Sequence, residues 1–190
     1  DVFISLVEQF KKHSEINKYL NETQDHILEN IDDFIETDIQ AEEGISRAAR
    51  TAEEKEKFFK YKINVFIDNK DLEGPPVIVE KSPSFHTLFG KKERSVELGI
   101  FKTDFTKIKA GSMHKANEGF LLLEASAILK IPHIWETLKR SLRSQKGYIE
   151  DLEDHLSVIP TSGITPKPID LNVKIILIGS DEVYRILFDL

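Results

Sequence analysis

The sequence predicts an α/β fold, a largely parallel sheet with β-hairpin insertions, preceded by an N-terminal helical segment. Three features carry that prediction. From residue 58 onward strand-like and helix-like stretches alternate, the order that builds parallel sheets. Two of the strand-like stretches, Phe120-Leu-Leu-Leu123 and Val173-Lys-Ile-Ile-Leu-Ile178, are short and almost continuously apolar, as buried parallel strands are. The first 57 residues differ in character, with apolar side chains at helical spacing and an excess of acid.

The totals set limits on function. Of 190 residues, 40% are hydrophobic and 31% charged, enough for a real core in a water-facing protein. There is no cysteine, which removes disulfides, thiol nucleophiles and thiolate zinc sites and fits a cytoplasmic protein. No apolar run is long enough for a bilayer, and the start, Asp1-Val-Phe-Ile, has neither the basic flank nor the cleavage site of a signal peptide. The chain does not begin with Met and reads as a piece of a longer one. Residues 1–60 hold 8 Lys and Arg against 15 Asp and Glu, whereas the remaining 130 hold 18 of each. That asymmetry predicts two units, 1–57 and 58–190.

In chain order, Val2, Phe3, Leu6, Val7 and Phe10 mark one helix. Ser14 is the expected N-cap of a second, striped by Ile16, Leu20, Ile27, Ile31, Phe34 and Ile35. Residues 36–57 are polar and acidic and read as a connection or an exposed helix. Residues 61–68 alternate and are rich in β-branched and aromatic side chains, which predicts a strand. A turn through Gly74-Pro-Pro76 leads to a short strand at 77–80, then a loop over 82–90 whose Phe85 and Phe89 read as exposed. Residues 94–109 form an expected hairpin around Gly99. The polar stretch from Gly111 allows a helical turn or two before the strand that ends at Glu124. Pro132 opens a helix with Ile134, Trp135, Leu138 and Leu142 on its buried stripe, and Gly147 ends it. Residues 148–171 are an excursion rich in Pro and Gly, 173–178 a second buried strand, and 181–190 the start of a helix.

Several chemistries are excluded by spacing. The stretch from Gly74 to Lys81-Ser82 lacks the second glycine that lets backbone amides cradle a phosphate. His13, His26, His86, His114, His133 and His155 show no pair at metal-ligand spacing. Lys91, Lys92, Arg94, Lys102, Lys107 and Lys109 are basic but interleaved with acids, which argues against a nucleic-acid stripe. Two strand ends remain. Glu124 and Ser180 follow the two apolar runs, and open α/β sheets place ligands at the carboxyl ends of their strands. There an acid can hold Mg²⁺ and a hydroxyl can sense a phosphate or a water. On spacing alone, a core strand that simply ends at a solvated glutamate fits as well.

Ordered blocks add a resemblance. They are Gly74-Pro-Pro-Val-Ile-Val-Glu80, Ser82-Pro-Ser-Phe85, Leu88-Phe-Gly90, Thr103 to Asn117, Gly119-Phe-Leu-Leu-Leu123, Trp135 to Arg143, and Pro166 to Gly179. Together they resemble the AAA+ region of Lon-like ATP-dependent proteases, in the branch with a long helical insertion after the Walker A loop. The match runs from about residue 58 to the end, with a weaker one over Leu6 to Phe34. The resemblance implies a partial P-loop NTPase sheet without its Walker A loop, and ATP with Mg²⁺ as cofactors of the parent protein but not of these residues alone. It implies homo-oligomeric, hexameric rings acting on unfolded protein substrates, with a serine-type peptidase domain outside these residues. Glu124 falls at the Walker B aspartate, Ala125 at the water-activating glutamate, Ser180 at sensor 1, and Glu118 at a usual glycine. Phe85, Leu88 and Phe89 fall where a substrate-gripping loop is sought, although core packing is the ordinary reading of such residues. A different class of function stays open, a non-catalytic interaction module whose helical hairpin binds a partner.

Overall fold

The computed structural model describes residues 2–34, 57–97, 100–150 and 164–188. The chain divides into two compact units, Asp1–Ile63 and Asn64–Leu190, a division a little beyond the expected 57/58.

In the first unit, α1 (Val2–Gln9) and α2 (Ser14–Glu29) form the expected helical hairpin, and a single 3-10 turn, Ile31–Asp33, follows. The N-cap of α2 is His13, not Ser14, and its side chain does not cap. The turn decides this: the His13 amide donates to the Phe10 carbonyl at 2.8 Å, which puts His13 in the half-helical position. Phe34 packs on Phe58 and Tyr61, and the Tyr61 hydroxyl meets His26 Nδ1 at 2.8 Å. Neither helix holds a buried residue. Ile35 and nearly all of the expected connection at 36–57 lie outside the described residues.

The second unit is built on three parallel strands. Its elements are β1 (Val77–Glu80), α3 (Phe85–Phe89), β2 (Lys91–Lys92), β3 (Ser95–Glu97), β4 (Ile100–Lys102), β5 (Ile108–Lys109) and α4 (Ser112–Lys115). Then come β6 (Phe120–Glu124), α5 (Ala125–Leu129), α6 (Pro132–Ser144), β7 (Lys146–Gly147), β8 (Ile169–Asp170), β9 (Lys174–Ile178) and α7 (Asp181–Phe188). The sheet order is β1-β6-β9, with Val79, Leu122 and Ile176 in register. Strand side chains alternate between faces, so Leu121 and Leu123 enter the core with Ile78, Ile175 and Leu177 beside them. Val77, Val79, Ile176 and Ile178 project from the other face and are exposed. The strand expected to be buried throughout is therefore buried on one face. The covering residues, Leu88, Phe89, Met113, Ile128, Ile134 and Leu138, belong to α3, α4, α5 and α6, and all lie on the core side.

Four local expectations are corrected. Residues 61–68 form no strand. The Asn64 side-chain amide donates to the carbonyls of Phe105 and Ile108, and Phe66 packs edge-on against His114 at 5.3 Å. Side chains, not a backbone ladder, hold this strap. Residues 85–89 are a helix, not a loop, because Ser84 and Thr87 cap it reciprocally and Phe85, Leu88 and Phe89 share one apolar face. In α6 the buried line is Ile134, Leu138 and Ser141, while Leu142 is exposed. That helix ends at Gln145 in the left-handed conformation. Gly147 lies in β7, where a Cβ would stand 2.8 Å from His114 Nε2.

The hairpin expected over 94–109 is present as β3–β4, and β2 and β5 pair outside it. Most of the 148–171 excursion lies outside the described residues. Among the described residues no helix is long and apolar enough to cross a membrane.

Candidate functional site

The carboxyl edge of the sheet gathers the polar groups. Glu124 pairs in register with Ile178, and Ser180 lies two residues further on, so parallel strands bring both to one edge. Their surroundings differ. Glu124 is the extended N-cap residue of α5, but its carboxylate leaves the helix amides alone and accepts from the Ser126 hydroxyl. Ser180 is a cap in fact: its carbonyl accepts from the Tyr184 amide at 3.0 Å and its hydroxyl from the Val183 amide at 3.5 Å. Both residues are exposed.

Between them the backbones come close. A Cβ on Gly179 would stand 3.4 Å from that of Ala125 and 3.2 Å from Val183 Cγ1. Glycine at 179 lets β9 end against the start of α5. Ala125 is 2% exposed and packs against this turn. Alanine at 125 therefore gives this edge no second acid beside Glu124.

Glu80 is the group that sequence reasoning passed over. It ends β1 beside Leu123 and accepts from the Ser112 hydroxyl at 2.7 Å and the Ser82 amide at 3.1 Å. The signal was available, since Val77-Ile-Val-Glu80 is the same apolar run closed by an acid as Leu121-Leu-Leu-Glu124.

A Mg²⁺ ion commonly keeps several waters and takes one or two carboxylates with substrate phosphates. A lone exposed carboxylate at Glu124 fits one position of such a shell. Among the described residues no three His, Cys, Asp or Glu gather into a protein cage.

The other expected groups lie elsewhere. Phe85, Leu88 and Phe89 are core, at 9%, 0% and 2% exposure, so they do not form the exposed loop expected of them. Lys91 pairs with Glu93 at 2.8 Å and Lys107 with Asp104 at 3.7 Å, so part of the basic stretch is neutralised locally. His114 is buried with neither ring nitrogen hydrogen-bonded, and burial pushes its pKa down to about 4.

Glu118 takes φ 61° just before β6, a left-handed conformation that favours glycine. Its carboxylate accepts from the Asn172 side-chain amide at 3.1 Å.

A comparison with family models matches residues 73–190 to the LonB-like AAA domain. No curated protein matches the chain.

Proposed function

Because this chain belongs to the LonB-like AAA domain family, we propose that it serves a Lon-like ATP-dependent serine protease as part of the AAA+ module that gates and feeds unfolded protein to the peptidase. The family implies a nucleotide-binding parent. In this reading the parent is a cytoplasmic, ring-forming hydrolase that uses ATP with Mg²⁺. Glu124 supplies the carboxylate on the metal side, and Ser180 supplies the polar group that faces a phosphate or water. The observation that carries the reading is the parallel register of β6 and β9, with Glu124 opposite Ile178 and Ser180 just beyond.

The edge also sets the expected rate. A positioned general base contributes typically about 10²–10⁴-fold, and Ala125 offers none. Slow ATP turnover follows, with the ring acting largely as a gate. A steady-state ATPase assay on the full-length protein tests this. Slow turnover supports it; rapid turnover abolished by Glu124→Ala overturns it.

A second reading draws on the helical hairpin, whose Val2, Ile4 and Leu28 are exposed. An interaction module of this kind predicts that deleting residues 1–57 abolishes a pull-down and leaves the sheet folded. Unchanged capture of the partner by the shortened chain speaks for the AAA+ reading alone.

A further inference from the structure

We infer that the outer edge of β1, with the cleft beside it, binds the carboxyl-terminal end of an extended polypeptide whose last residue is large and apolar. β1 ends the sheet order, and among the described residues nothing pairs with its outer edge. An unpaired strand edge is a template for an added strand, with backbone hydrogen bonds giving affinity and side-chain pockets giving selectivity.

Such a pocket is present. A cleft of ≈ 340 Å³ is lined by Phe66 and Leu72 from the strap and turn, Val77 and Ile78 from β1, and Lys115 from α4. Val77 and Ile78 point to opposite faces of the sheet, and no residue of β6 lines the cleft. It therefore runs along the free edge of β1, on neither face. Its volume lies at the small end of ligand pockets, about 300–1,000 Å³, and is enough to take a large apolar side chain.

Charge selects the terminus. Asp68, also at the cleft, is engaged by Lys70, through the amide at 3.1 Å and the ammonium at 3.7 Å. Lys115 has no ion pair or side-chain hydrogen bond among the described residues. An apolar slot with an exposed, unpaired lysine among its lining residues is complementary to an apolar side chain next to a carboxylate. A polypeptide's last residue joins the two on one α-carbon.

The inference deepens the function proposed above and rests on it for the kind of partner, unfolded protein. The site lies at the amino-terminal end of β1 and has no part in the Glu124 and Ser180 edge. Its test is peptide binding without nucleotide, so either reading can fail alone. A short labelled peptide ending in leucine is titrated against this chain by fluorescence anisotropy, as the free acid and as the carboxyl-terminal amide. The acid binds more tightly by about fivefold, the scale of one exposed charge contact. Lys115→Gln removes that difference, and Leu72→Trp, which fills the cleft, abolishes binding of both forms. Both positions are exposed, and matching thermal melts check that the variants fold. Equal binding of acid and amide by the unmodified chain, discrimination surviving Lys115→Gln, or no binding at all overturns the proposal.

Discussion

The two faces of the central sheet are made of similar residues and meet different surroundings. On one face Leu121 and Leu123 are packed under α3, α4, α5 and α6. On the other, Val77, Val79, Ile176 and Ile178 are exposed, and the Lys174 ammonium lies 5.7 Å from the centre of the Phe120 ring. Hydrophobic strand residues alone therefore do not tell which face is covered; the flanking helices do. Loading one face also leaves the carboxyl edge open, where Glu80, Glu124 and Ser180 stand exposed or half-buried.

The comparison breaks most readily at its buried side. Leu121→Ala removes a fully buried side chain and costs about 2–5 kcal/mol, read from urea denaturation midpoints. A cost below about 1 kcal/mol would mean that the core face is not packed as described. The next largest effect is set by pH. His114 is neutral in the folded chain down to about pH 4, whereas the unfolded chain takes up its proton near the ordinary value of about 6.5. Stability is therefore full above the unfolded value and falls as pH drops from about 6.5 towards 4, by roughly 3 kcal/mol in all. His114→Phe flattens that slope, which denaturation midpoints at a series of pH values would reveal.

Smaller changes sharpen the contrast. Glu118→Gly relieves a left-handed non-glycine residue worth about 1–2 kcal/mol and loses the Asn172 contact. A net gain of about 0.5 kcal/mol or more is expected in the thermal midpoint. Val79→Thr on the open face changes stability by less than about 0.5 kcal/mol. A loss of 2 kcal/mol or more would show that this face is covered in solution.

The sequence carried the elements whose signal is local and repeated. The runs at 120–123 and 173–178 became β6 and β9, and Pro132 with Ile134 and Leu138 became α6. Glu124 and Ser180 were legible for the same reason, because each follows such a run. What escaped depended on long-range partners. The alternation at 61–68 reads as a strand, but an alternating segment becomes one only where a neighbouring backbone accepts its ladder, and here Asn64 anchors it by its side chain instead. The helix at 85–89 was hidden by its cap, since threonine fills the place where a capping box usually has glutamate or glutamine. At the end of α6 Ser141 is buried and Leu142, expected on the stripe, is exposed, because burial there follows the facing neighbours, which periodicity does not encode. Glu80 carried the same run-and-acid signal as Glu124 and was missed for want of a reason to pair the two strands. The parallel register supplies that reason.

The most direct test of the account is the separation of positions 124 and 180. The chain has no cysteine, so spin labels on Glu124→Cys and Ser180→Cys report on that pair alone. The parallel register predicts strong dipolar broadening, from labels within about 15 Å, and weaker broadening for a control pair at 124 and 174. If β6 and β9 ran the other way, position 180 would lie roughly a strand length, ~17 Å, further off. A 124–180 separation longer than the 124–174 one would contradict the shared edge and the function built on it.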